Sequence, residues 1–269
     1  MFQIGYRTAS FEGMELAAAL KSLGRMGYDS VEICLERKEL APGTLTPQLA
    51  AHVQELAVRA GLTIHSVSFH GDGLPWPERA AGQRAAVAAA AWFGTRTVVV
   101  NTPAAQEGID WCVLREHFAA LSEEASQAGV TLAVEPEPGL MVATVADGLR
   151  LVDEVASRSL ALNLDVGHAF LTEGDVVAAI GSLSGVIGHV HFEDMPADEH
   201  RHLVPGEGDM PLADVVVALW DAGFRGVLTV DLFEPYEDPV AVAVQALRAS
   251  RAVVREAMAR VRQRGFPAL

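Results

Sequence analysis

Short runs of β-branched and aliphatic residues alternate with longer Ala-rich amphipathic stretches along the whole chain. Apolar runs of that kind fit strands buried on both faces, while the stretches between them place apolar residues at helical spacing. The alternation predicts parallel strands joined by crossover helices. Strands are expected over 2–6, 30–35, 63–69, 97–101, 131–135, 160–165, 186–192 and 227–231, and helices over 12–26, 46–60, 78–92, 109–128, 145–156, 175–182, 211–222 and 239–263. Gly27, Gly61, Gly94, Gly129 and Gly223 each follow a helix just before the next strand, where a left-handed cap turns the chain back. The first four stand 34, 33 and 35 residues apart, a period that predicts eight βα units closed into an α/β (β/α)8 barrel. A doubly wound open sheet is the rival topology. The first strand-to-helix turn, from Gly5 to Ser10, lacks its Gly-rich dinucleotide fingerprint.

Composition narrows the picture further. In 269 residues, 50% of them hydrophobic, there is enough apolar surface for one domain spanning 1–269, and no Pro/Ser-rich linker or charge block divides it. Lys and Arg number 20 against 35 Asp and Glu, and a formal charge of −15 argues against a nucleic acid partner. The two cysteines, Cys34 and Cys112, supply neither a disulfide framework nor a thiolate zinc site. Without a charged leader at the start or an apolar run of about 18 residues, the expectation is a cytoplasmic protein with no membrane partner.

In such a barrel, chemistry sits where strands end at the C-terminal face. Four late strands end in metal-type ligands: Glu135 in LAVEPEPG, Asp165 in LNLDVGHA, His191 in HVHFED and Asp231 in TVDLFEP. One acid at a strand end is an ordinary loop residue or helix cap. Four donors at equivalent places form a set of hard oxygens and one imidazole, suited to a divalent metal, Mn²⁺ ahead of Mg²⁺, Co²⁺ or Zn²⁺.

The remaining histidines sort by position. His52 and His117 fall in helices and read as surface or packing residues. His65 and His189 lie within strands, where a hydrogen-bonded histidine behind the site is expected. His70, His168, His200 and His202 follow strands and can face the cavity; His168 stands three residues after Asp165 across Gly167. The segment from His200 through Arg201 and His202 to Asp209 reads either as a clamp on a hydroxylated substrate or as a plain Pro/Gly surface loop. Trp76, between Pro75 and Pro77, reads as a pocket cover or a buried loop anchor, and the six arginines from Arg248 to Arg264 as a solvated helix face.

Taken together, LAVEPEPG, LNLDVGHAFL, HVHFED, HRHLVPGEGDMPL and GFRGVLTVDLF resemble the xylose-isomerase-like TIM-barrel superfamily, most of all its sugar phosphate isomerase/epimerase branch; the same superfamily holds the type IV AP endonucleases. The resemblance covers most of the chain and is strongest over 131–239. It implies one divalent ion on Glu135, Asp165, His191 and Asp231, and proton abstraction beside a carbonyl through an enediolate stabilised by that ion. Glu135 and Asp231 would then be the acid–base pair of a sugar isomerase or epimerase. His70, Glu137, His168, Arg201 and His202 would hold a sugar or polyol ketone, and a homodimer is implied. One position departs: Asp231 stands where the family carries Glu, and Glu234 is the nearby longer acid. A metal-dependent nuclease is one alternative, supported by His70, His168, His200 and His202 but not by Asn101, which replaces a histidine. A non-catalytic sugar-binding barrel is the other.

Overall fold

The structure, a computed structural model, describes residues 2–11, 13–234 and 236–265. Eight parallel strands close into a barrel in sequence order: β1 Gln3–Arg7, β2 Ser30–Cys34, β3 Thr63–Phe69, β4 Thr97–Val100, β5 Thr131–Val134, β6 Leu160–Asp165, β7 Ile187–Phe192 and β8 Val227–Val230. The ring is closed by β1 against β8, with Tyr6 opposite Val230. Open-sheet topology is thereby excluded.

Helices α1 (Leu16–Met26), α2 (Pro47–Arg59), α3 (Trp76–Trp92), α4 (Trp111–Ala128) and α5 (Val145–Val155) form the first part of the outer layer. After β6 come two short helices, α6 (Val166–Thr172) and α7 (Val176–Gly181), followed by α8 (Leu212–Asp221) and α9 (Pro239–Gln263). The apolar periodicity accounts for all of these but α6. That helix is too short to show a period, and its N-cap is Asp165 itself, whose side chain accepts the His168 N–H at 2.8 Å. The predicted first helix begins too early: a 3₁₀ turn over Thr8–Phe11 precedes α1, and Glu12 lies outside the described residues. Gly27 and Gly129 end α1 and α4 with φ of 93° and 68°, so these caps need glycine.

Outward strand residues such as Val31, Ile33, Val98 and Val100 pack beneath the helices, with Ala86, Ala89 and Ala90 letting α3 approach closely. The inward face is different. Glu32, Ser66, Asn163, His189 and His191 are all fully buried inside the barrel, where bulky branched residues usually stand. Burying this much polarity is stable only when its hydrogen bonds are made, so the interior is organised around them. Among the described residues no helix is long and apolar enough to cross a membrane.

Candidate active site

Glu32 anchors the floor of the site. Its Oε1 accepts from His191 Nε2 at 3.0 Å and lies 3.3 Å from Arg7 Nε; its Oε2 accepts from Ser66 Oγ at 2.7 Å and faces His189 Nε2 at 2.9 Å. Burial alone would raise this carboxyl, but His191 and His189 hold it well below the carboxylate range. Because His191 Nε2 donates to Glu32, its Nδ1 is left as the acceptor, and the Asn163 amide donates to it at 3.0 Å. The bond to Glu32 thus fixes the tautomer, and the Nδ1 lone pair, taken here by the Asn163 amide, is the one a cation would displace that amide to reach.

Around that nitrogen stand three carboxylates. His191 Nδ1 lies 3.5 Å from Glu135 Oε2, 3.9 Å from Asp165 Oδ2 and 3.5 Å from Asp231 Oδ2. Ligand atoms of Glu135, Asp165 and His191 all fall within 4.8 Å of one another. Asp165 Oδ2 and Glu193 Oε2 are both buried with no hydrogen-bond partner, which is costly for carboxylates unless a shared proton or a cation answers them. Burial works against protonating His191, yet Glu32, Glu135 and Asp231 raise its proton affinity well above the ordinary value, another sign of uncompensated negative charge. The donor set and the unpartnered oxygen therefore fit a divalent ion. Asp231 joins this group from the side, since Arg7 Nη1 also donates to its Oδ1 and Oδ2 at 3.1 and 3.2 Å. Against the effect of burial, Arg7 and then His191 and His202 hold the Asp231 carboxyl below its usual value.

His70 and Asn163 donate to Glu135 Oε2 at 2.9 and 3.0 Å. Burial and Arg7 lower the proton affinity of His70 while Glu135 and Glu36 lift it, toward about 9. Geometry decides otherwise: a guanidinium can only donate, and Arg7 Nη2 lies 2.8 Å from His70 Nδ1, so that nitrogen accepts and the ring is the neutral Nε2–H tautomer. Glu135 itself, despite burial, is held well below its ordinary value by His191 and His70. Behind Asp165, Glu193 is pushed well above the carboxylate range, first by burial and then by Asp165. It accepts the Gly167 N–H at 2.7 Å, and a Cβ on Gly167 would collide with Met195 and Glu193.

The cavity above, about 220 Å³, is lined by Arg7, His70, Glu135, Glu137, His168, His202 and Asp231 among others. His202 Nδ1 donates to the Asp231 carbonyl at 2.9 Å, while His168 Nε2 meets the Nε2 atoms of His200 and His202 at 2.9 and 3.4 Å. Glu137 accepts from the Asn101 amide at 3.1 Å; burial, and then Glu135, raise its carboxyl. Arg201 is exposed and does not line the cavity. Glu234 lines a separate groove with Ser10 and Tyr236, so the acid that β8 delivers to the cluster is Asp231. Trp76 packs edge-on against His117 and is not among the residues that line the cavity.

Arg7, Glu32, Asn163 and Glu193 adjoin the cluster and pattern reading passes over them, while it takes Asn101 only as the residue in a histidine's place. Glu32 and Asn163 do leave a signal: each is a lone polar residue within an apolar strand, and Asn163 stands two residues before Asp165, hence on the same face. Arg7 leaves none, because its partner Asp231 is 224 residues away.

A closed (β/α)8 barrel with a buried carboxylate–histidine centre at its C-terminal mouth defines the class. A family model described as xylose isomerase-like TIM barrel matches residues 18–257, and the chain belongs to that family. Fructoselysine 3-epimerase of Escherichia coli O157:H7 is 25% identical over 284 residues, covering 94% of this chain and 98% of that protein. L-ribulose 3-epimerase of Mesorhizobium japonicum is 32% identical over 127 residues, 46% of this chain and 41% of that one. Among solved structures, an L-ribulose 3-epimerase superposes with a TM-score of 0.80 at 21% identity, covering 100% of both chains. D-psicose 3-epimerase, solved in the presence of D-fructose, gives 0.76 at 18% identity over 94% of this chain and 99% of that one.

Proposed function

We propose that the protein is a divalent-metal-dependent sugar epimerase or isomerase acting on a ketose. Glu135, Asp165 and His191 would hold the ion, with Asp231 as fourth donor and Mn²⁺ as the first choice for this mixed oxygen–nitrogen set. Bound there, a divalent ion supplies Lewis-acid stabilisation of the charge that develops on adjacent substrate oxygens. The chain's own residues do the rest. Glu135, kept deprotonated and oriented by His70 and Asn163, takes the proton from the carbon beside the carbonyl. Asp231, oriented by Arg7, takes a proton from solvent and delivers it from the other side, while Glu135 gives its own up to solvent, so the protons balance. Return to the same carbon is epimerisation, and return to its neighbour is isomerisation. His70, His168, His202 and Glu137 line the space a sugar's hydroxyls would fill.

The observation that carries this reading is the placing of two carboxyl groups, Glu135 and Asp231, each 3.5 Å from the same His191 nitrogen. The relatives named as 3-epimerases point the same way. Incubation with a ketose panel should give Mn²⁺-dependent interconversion that a chelator abolishes; the absence of any conversion across the panel would overturn it. The nuclease alternative has one observation in its favour, the ring nitrogens of His168, His200 and His202 within 4.8 Å of one another. Against it, Glu36 and Asp72 line the mouth and, among the described residues, pair with no Lys or Arg, a lining that disfavours phosphate.

A further inference from the structure

The sugar cavity does not end at the metal cluster. It shares Glu36 and Asp72 with a second, larger groove of about 640 Å³, whose walls are largely apolar and include Pro42, Phe69, Leu74 and Ala81. Resting on the reading above, we propose that the substrate is a ketose joined to an aliphatic amine, with its sugar in the inner cavity, its secondary ammonium at Asp72 and Glu36, and its alkyl chain along the groove.

Charge supports the middle of that assignment. Both guanidiniums lining the inner cavity are committed: Arg7 to Asp231, Ser68 and His70, and Arg37 to Glu39 and the carbonyls of Phe11 and Met14. Among the described residues no Lys or Arg pairs with Glu36, Asp72 or Glu137, so three carboxyl groups meet at the junction without a Lys or Arg partner. Glu36 is held in place by the backbone N–H groups of His70 and Gly71 and by the Cys34 thiol. The Asn101 amide, fully buried, donates to Asp72 at 3.2 Å and to Glu137 at 3.1 Å, and its Oδ1 beside them has no partner. A secondary ammonium brings two N–H donors and one positive charge, which answers both deficits at once. A phosphorylated sugar would meet only repulsion here.

The groove supplies the third element. Beyond Glu36 and Asp72 its walls are apolar apart from Glu78, so a chain leaving the amine runs onto them, and burial of each methylene is worth up to about a fourfold gain in affinity.

The test is calorimetric titration of the Mn²⁺-loaded protein with two unreactive polyols, N-butyl-D-glucamine and its neutral counterpart 1-O-butyl-D-sorbitol. The amine is expected to bind at least about tenfold more tightly than the ether. That ratio should fall toward one in Asp72→Asn and, independently, in Glu36→Gln, and affinity should climb from the methyl to the butyl amine. Equal affinity for amine and ether, or a ratio unmoved by Asp72→Asn, overturns the proposal. Conversion of plain ketoses together with equal probe affinities would reject this subsite alone. An intact ratio with no conversion of any ketose, amine-bearing ones included, would reject the catalytic reading alone.

Discussion

Arg7 closes the barrel chemically as well as topologically: from the end of β1 it places one guanidinium nitrogen against both oxygens of Asp231, just past the end of β8, at 3.1 and 3.2 Å. The register pairs Tyr6 with Val230, so the next residue along each strand meets its partner at the rim. Both side chains are buried, and removing one leaves the other as an unpaired charge.

Arg7→Met should therefore destabilise the fold by about 3–5 kcal/mol in denaturant titrations. The sign in pH follows from the depressed Asp231 carboxyl: its stabilising contribution is present above the ordinary aspartate pKa and is lost as pH falls through the lower folded value. Without Arg7 the folded value rises, so the acid limb of kcat/KM moves to higher pH. Arg7→Lys, which keeps charge but not the fork, should lie between the two proteins.

The same pair explains why the shorter acid suits this chain. Asp231→Glu adds one methylene to a buried side chain already held by Arg7 and displaces its carboxylate, so turnover should drop by about tenfold or more. Pairing it with Arg7→Ala relieves the crowding, and the double-mutant cycle should show a coupling of about 1 kcal/mol or more. Additive losses would mean the two residues do not set each other's position.

Glu32→Gln tests the floor. Glutamine can keep one acceptor for His191 but not the four-donor arrangement around a charged carboxylate. Mn²⁺ affinity measured by electron paramagnetic resonance should weaken by about 10–100-fold.

Outside the site, His65 stacks on His189 at 5.5 Å, and its pKa is brought down to about 4, mainly by burial and then by His189. A histidine held neutral in the fold favours folding above its unfolded pKa of about 6.5, and that contribution is lost as pH falls toward about 4. His65→Phe should flatten the acid-side stability loss over this window by about 1–2 kcal/mol, since solvent screens the part-exposed ring. An unchanged slope of stability against pH would rule this group out.

The strand ends are legible in the sequence because each carries its donor within a recognisable β-to-loop transition. Glu135 and Asp231 fall one residue beyond the strands that deliver them, and Asp165 and His191 at or next to the ends of theirs. What escapes is the inward layer beneath them. Glu32 reads as one acid in an apolar run, and only the closure of β1, β2, β3 and β7 around it reveals four partners. Arg201 shows the reverse: a cation in a motif-rich loop that the chain turns to solvent, while Arg7, with no motif around it, becomes the guanidinium of the site.

The central claim is that Glu135 and Asp231 exchange a carbon-bound proton of a ketose. Mass spectrometry of ketoses recovered from D₂O after incubation with the Mn²⁺-loaded protein tests it directly. The wild-type protein should incorporate deuterium at the carbon beside the carbonyl, and Glu135→Gln and Asp231→Asn should slow incorporation by about 10²–10⁴-fold with the fold intact. Deuterium uptake at the wild-type rate in both variants, or none in any ketose with the wild-type protein fully loaded, would contradict it.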